Sequence, residues 1–228
     1  MKKFLKTAVA AAAFILTAGS ASAAIVLDFE GVNATYPSGF ANVGDFYNGG
    51  TSSDGTSGTD YGIEFTSNAL AICLNTPGVV CSNTSRGGLA PGSELGALFW
   101  LEGPETYMNV AAGFDTGFSF YYAAPNTPGA IRVYDGLNGT GNLLATLDLG
   151  LTPATCSGEY NALYCPFAAS GIGFAGIAKS VSFAGTANYI VFDDVTFGSI
   201  TPGVPEPTTY ALFGIGLAAL ALAKRKRA

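Results

Sequence analysis

The chain of 228 residues contains no histidine. A Ser-His-Asp or Cys-His hydrolase is therefore excluded, because both need an imidazole to take the proton of the nucleophile. Basic residues are scarce away from the ends. Ten Lys and Arg are present, and all but Arg86, Arg132 and Lys179 belong to Lys2, Lys3, Lys6 and Lys224-Arg225-Lys226-Arg227. Lys179 is then the one interior residue able to serve a Ser-Lys mechanism, and it sits beside a strand pattern where a solvent-facing side chain is expected. The acidic residues are distributed the other way. Fifteen of the sixteen lie in the interior, all but Glu206, giving it a net charge of −12 against its three basic residues. Such a body is repelled by DNA, so no nucleic acid is expected as a partner. No helix-period segment stands out between the two ends.

What is present is concentrated first at the termini. Lys2, Lys3 and Lys6 form a basic n-region, Thr7 to Ala18 an apolar h-region, and Ala21-Ser22-Ala23 an Ala-x-Ala site. Residues 1–23 read as a secretory signal peptide, with signal peptidase cleaving before Ala24.

The last two dozen residues are the most specific part of the chain. Val204-Pro205-Glu206-Pro207 is followed by an apolar run from Tyr210 to Ala223 and by the basic stop Lys224-Arg225-Lys226-Arg227. Pro205 and Pro207 keep the stretch before Tyr210 extended. As a helix, the 14-residue run would cover roughly 21 Å, short of a hydrocarbon core of about 30 Å. Snorkelling Lys and Arg side chains close part of that gap. The basic end is expected to stay cytoplasmic, leaving the body outside.

This order of parts resembles the PEP-CTERM protein-sorting domain. The resemblance implies a Gram-negative bacterium that makes exopolysaccharide. It also implies recognition at Pro205, Glu206 and Pro207 by an exosortase, an integral-membrane cysteine protease. A transient inner-membrane helix would precede release to the cell surface or extracellular matrix. The organisation read from the sequence is thus a signal peptide (1–23), a body (24–200) and a sorting tail (201–228). The Val191-to-Gly198 stretch, with its Asp-Asp pair before the linker, also looks like the closing strand of the variable bodies that precede such tails.

Export carries the four cysteines into an oxidising compartment, where disulfides persist. Cys73 and Cys81 are eight apart and Cys156 and Cys165 nine apart, each pair bracketing turn residues. Three pairings are possible and local pairing is favoured. A four-cysteine zinc site is disfavoured by spacings too wide for Cys-x-x-Cys knuckles.

Short alternating runs mark strands: Ile25 to Phe29, Tyr61-Ile63-Phe65, Phe114-Phe118-Phe120-Tyr122, Ile131-Val133, Leu143-Ala145-Leu147-Leu149, Val181-Phe183 and Tyr189-Val191-Val195-Phe197. Roughly eight to ten strands separated by Asn, Asp, Gly and Pro clusters predict an all-β fold. The expected form is an antiparallel β-sandwich, jelly-roll-like, with a C-terminal membrane helix. The Gly39 to Asp60 stretch reads as a binding or mobile loop.

Three kinds of site are legible. Asp28 and Glu30 on the first strand and Asp193 and Asp194 on the last offer hard oxygen ligands for Ca²⁺, the alternative being that the Asp pair merely edges a strand. Trp100 is a candidate glycan-stacking residue, with Tyr107, Tyr121, Tyr122 and Tyr134 as further aromatics, although a sandwich also buries its large aromatics. A carbohydrate-active enzyme would need two facing carboxylates among residues such as Glu64, Glu94, Glu102, Glu105 and Glu159. The expected function is a non-catalytic surface or matrix protein, calcium-stabilised and glycan-binding, with exopolysaccharide as partner. The secreted enzyme is the alternative.

Overall fold

The computed structural model describes residues 25–74, 81, 95–153, 155 and 164–203. Within them the chain forms twelve strands and one short 3-10 turn, Leu137–Gly139. The strands are β1 (Val26–Leu27), β2 (Phe40–Asn42), β3 (Ile63–Phe65), β4 (Leu70–Cys73), β5 (Gly96–Phe99) and β6 (Glu105–Phe114). They continue as β7 (Gly117–Ala123), β8 (Gly129–Tyr134), β9 (Leu143–Leu149), β10 (Ala168–Gly173), β11 (Ala178–Ala184) and β12 (Val191–Phe197). Every pairing is antiparallel. One sheet has the order β10-β7-β12-β5-β4-β2 with β1 added beside β12; the other has the order β3-β6-β11-β8-β9.

The two sheets share one core. Phe118, Phe120, Phe192 and Val195 of the first pack against Ile63, Met108, Ile131, Val133, Val181 and Phe183 of the second. Phe183 meets Phe192 edge-on at 4.9 Å and Phe118 at 5.8 Å between ring centroids, the T-shaped geometry that aromatic quadrupoles favour. The larger sheet is buried on its other face as well. Leu70, Ile72, Ala97, Phe99 and Val191 pack there against Tyr164 and Phe167. This double burial explains why β4 and β5 are continuous apolar runs while β3 and β8 alternate.

Three local departures from strict alternation matter. Tyr61 does not join Ile63 and Phe65 in the core, because Gly62 has φ +69° and turns the chain between them. Leu143 is exposed because the β8–β9 pairing slips at Val133/Tyr134. Val191 faces the outer cluster whereas Val195 and Phe197 face the core, the reverse of a constant period of two. The cause is a β-bulge: Asp193 pairs with Tyr121 and Thr196 with Ser119, so β12 spends three steps where β7 spends two.

The Gly39 to Asp60 stretch is wound into packed turns. Val43, Phe46, Tyr47 and Ser52 are buried, and the amides of Val43 and Gly58 donate to the carbonyls of Ala69 and Phe46. Among the described residues no helix is long and apolar enough to cross a membrane. The tail from residue 204 onward, with its expected membrane helix, lies outside the described residues.

Candidate functional site

The first site grows from the β12 bulge. The β1–β12 register matches Val26 with Thr196 and Leu27 with Val195, so one further step brings Asp28 level with Asp194. Both acidic pairs singled out in the sequence therefore meet at one place. Asp194 is the residue the bulge inserts. It has φ +48°, a left-handed conformation that Asp tolerates better than most residues. Its side chain is fully buried, and neither carboxylate oxygen has a hydrogen-bond partner among the described residues. Its neighbours are held by the backbone. The amides of Leu95 and Gly96 both donate to Glu30 Oε1 at 2.7 Å. The Glu30 amide donates to Asp28 Oδ1 at 3.2 Å, and the Asp194 amide to Asp193 Oδ1 at 2.8 Å.

Concentrated negative charge shows in the protonation equilibria. Burial, then the charges of Asp28 and Glu30, push the Asp194 carboxyl up to about 7. Tyr36 and Tyr47 stand beside the cluster. Burial raises both phenols, with further pushes from Glu30, Asp193 and Asp28 on Tyr36 and from Asp28 on Tyr47. The Tyr47 hydroxyl accepts the buried Phe29 amide at 2.9 Å. Neither tyrosine is part of the sequence expectation, since both lie off the strand patterns that carry the acidic pairs. As the side chains stand, no three His, Cys, Asp or Glu groups among the described residues are gathered closely enough to hold a metal ion.

The second site is the outer face of the five-stranded sheet. Tyr107, Ser182 and Arg132 lie side by side on β6, β11 and β8, and Asn109, Ser180 and Tyr134 form the next row. Glu105 ties the first row together. Tyr107 donates to its Oε1 at 2.6 Å, Ser182 donates to its Oε2, and Arg132 Nη1 lies 3.7 Å from Oε2. Burial and then the hydrogen bond to Glu105 push the Tyr107 phenol up to about 12. The turn from Asp135 to Asn142 is folded over the second row. Asn138 and Asn109 exchange hydrogen bonds of 2.7 and 2.8 Å, and the Gly139 amide donates to Ser180 Oγ at 3.0 Å. A pocket of about 90 Å³ opens beside it, lined by residues including Asn48, Glu64, Asn109 and Asn138. Tyr107 and Tyr134 remain partly exposed.

Trp100 is not on a surface. It is fully buried, stacked on Phe192 at 6.2 Å, and its indole N–H is satisfied by the Gly103 carbonyl at 3.2 Å. The sandwich uses its one indole as core, which removes it as a platform for sugar. Of the candidate carboxylates, Glu64 and Glu102 are exposed and Glu105 is engaged as described. Glu94 and Glu159 lie outside the described residues, as do Arg86 and Cys156. Cys73 and Cys81 form a disulfide with Cα atoms 5.9 Å apart, and Cys165 is also disulfide-bonded.

The end of the body points to the tail. The Gly203 amide donates to Thr196 Oγ1 at 2.9 Å, so β12 holds the chain as far as the residue where the tail begins. The PEP-CTERM protein-sorting motif matches residues 203–227. The chain carries a PEP-CTERM sorting motif. That motif marks an exported protein handled by an exosortase, as the order of Pro205-Glu206-Pro207, apolar run and Lys224-to-Arg227 stop led one to expect. The sorting residues and the basic stop themselves lie outside the described residues. No curated protein matches the chain.

Proposed function

We propose that this PEP-CTERM protein is a non-catalytic component of the cell surface or extracellular matrix that binds exopolysaccharide. Its ligand face is the outer side of the five-stranded sheet. The observation that carries the reading is that two partly exposed tyrosines, Tyr107 on β6 and Tyr134 on β8, stand on one face either side of β11 with the partly exposed Arg132 beside them. Sugars are recognised by apolar stacking on ring faces together with hydrogen bonds to hydroxyl and charged groups, and this face offers both. Its groups are held in place before any ligand arrives, because Glu105 and the Asp135–Asn142 turn fix the side chains around them; preorganisation lowers the cost of binding. On this reading an exosortase separates the body from its tail beyond Pro207, and the body then meets the polysaccharide outside the cell.

The test uses the protein recovered from native cells by fraction. Intact mass checks cleavage at both ends. Affinity electrophoresis against the cells' own exopolysaccharide checks binding. Replacing Tyr107 and Tyr134 together by Ala is expected to weaken retention at least tenfold, the scale of losing a dominant aromatic contact. Unchanged retention in the double variant, or none in the parent, rejects the glycan reading. A protein found only with its tail intact in the inner membrane rejects release.

A further inference from the structure

The β12 bulge places a carboxylate where an isolated protein gains nothing from it. A buried polar group without a hydrogen bond is costly, and a buried charge without a counter-charge is costlier. Asp194 presents both carboxylate oxygens, fully buried and without hydrogen-bond partners among the described residues, towards the end of β1 where Asp28 and Glu30 lie. A different residue in the bulge would avoid this, and an unbulged β12 would not bring it about. Bulges commonly re-aim a side chain beside a site, and non-Gly residues at positive φ recur where a ligand is held.

We propose that the space between the Asp194 bulge and the Asp28–Glu30 end of β1 is a cation site that takes Ca²⁺. The chemistry favours calcium among the common cations. The available groups are carboxylate oxygens: the chain has no histidine, and Cys73, Cys81 and Cys165 are held in disulfides. Ca²⁺ accepts irregular sets of six to eight oxygens, whereas Mg²⁺ demands a near-ideal octahedron. Asp194 and Asp193 supply ligands from β12. Asp28, which is only partly buried, turns inward to complete the set, and Glu30 adds its Oε2 while its Oε1 keeps the Leu95 and Gly96 amides. The ion then clamps β1, a strand of two residues, onto β12, and through the Glu30 contacts with Leu95 and Gly96 onto β5. The site is thus structural: it locks the first strand of the body against the last, beside the exit of the sorting tail.

Tyr36 and Tyr47 provide a direct readout, because a lanthanide in the Ca²⁺ site sits close enough to be sensitised by them. The full chain, stripped with EDTA, is titrated with Tb³⁺ and then with Ca²⁺, and its melting temperature is recorded in Ca²⁺, Mg²⁺ and EDTA. The expected result is tyrosine-sensitised Tb³⁺ emission that Ca²⁺ displaces. Saturation with Ca²⁺, at a hundredfold excess over Kd, raises the melting temperature by about 5 to 10 °C. Asp194→Asn weakens Tb³⁺ and Ca²⁺ binding more than tenfold. Asp28→Asn, at a partly exposed position where folding is less at risk, does the same and serves alone if the Asp194 variant does not fold. Equal melting temperatures in Ca²⁺ and EDTA overturn the proposal, as does unchanged affinity in whichever variant folds. An equal response to Mg²⁺ overturns the assignment to calcium.

Discussion

Replacing Asp194 by Asn in metal-free protein should stabilise the fold at alkaline pH and not at acidic pH. Asn keeps the shape and tolerates the left-handed backbone at φ +48°, so the change isolates the charge. The Asp194 carboxyl rises from 3.8 to about 7 in the folded chain. Between those values the folded chain holds a proton that the unfolded chain has released. Stability from this group is therefore fully present below pH 3.8 and is lost as pH climbs towards about 7. The full shift corresponds to at most about 4 kcal/mol. Asp28 and Glu30 are only partly buried, and screening of their charges brings the figure to about 2 kcal/mol. At pH 5 the folded carboxyl holds a proton that the unfolded chain has released, so roughly a third of that cost is already present; the Asn amide, equally short of partners, costs a few tenths to about 1 kcal/mol and offsets it. Urea unfolding of parent and variant in EDTA at pH 5 and pH 8 gives two differences. The variant should improve by about 1 kcal/mol between the first and the second. A difference that does not change with pH would refute the claim that Asp194 is a desolvated, crowded carboxylate.

Other outcomes follow from the same structure. Trp100→Ala should cost about 3 to 5 kcal/mol in urea unfolding, the range for emptying a filled aromatic site; a cost below 1 kcal/mol would mean Trp100 is not core. Tyr47→Phe leaves the buried Phe29 amide without its acceptor and should cost about 1 to 3 kcal/mol, seen as a lower urea midpoint at unchanged slope. Gly96→Ala would drive a methyl group into the Phe29 carbonyl, a backbone contact that cannot rotate away; loss of soluble folded protein is expected, and a well-folded variant would show that β1 sits elsewhere. Removing the Cys73–Cys81 bridge by replacing both cysteines with Ala opens a loop with a sequence separation of 8 and should lower stability by about 2.5 kcal/mol in urea unfolding; an unchanged midpoint would mean the bridge constrains nothing.

The sequence by itself settled what depends on order along the chain. The Pro-Glu-Pro, apolar, basic end is a linear string, so no folding is needed to recognise it. Alternation likewise settled the all-β class and most inward faces, as at Ile131-Val133 and Val181-Phe183, because a strand's side-chain period is a local property. Proximity of Cys73 to Cys81 was legible because short loops close easily. The sequence also suggested that Asp28-Glu30 and Asp193-Asp194 belong together, on the expectation that first and last strands meet.

Tertiary structure decided the rest. Only the β1–β12 register brings the two acidic pairs side by side, and only the bulge, invisible to a period-two count, buries Asp194 and reverses the faces of Val191 and Val195. Trp100 was ambiguous for a similar reason: an apolar run such as Ala97 to Trp100 suits a strand buried on both faces or a strand with an exposed aromatic, and the packing of the two sheets chose the first, placing Trp100 on Phe192 in the shared core while Ala97 and Phe99 meet Phe167 and Tyr164 on the other face. The Glu105–Tyr107–Arg132–Ser182 network joins residues up to 77 positions apart. Such contacts are created when separate strands are laid in register. The pattern along any one strand records which side chains share a face, and the neighbouring strands determine what they touch.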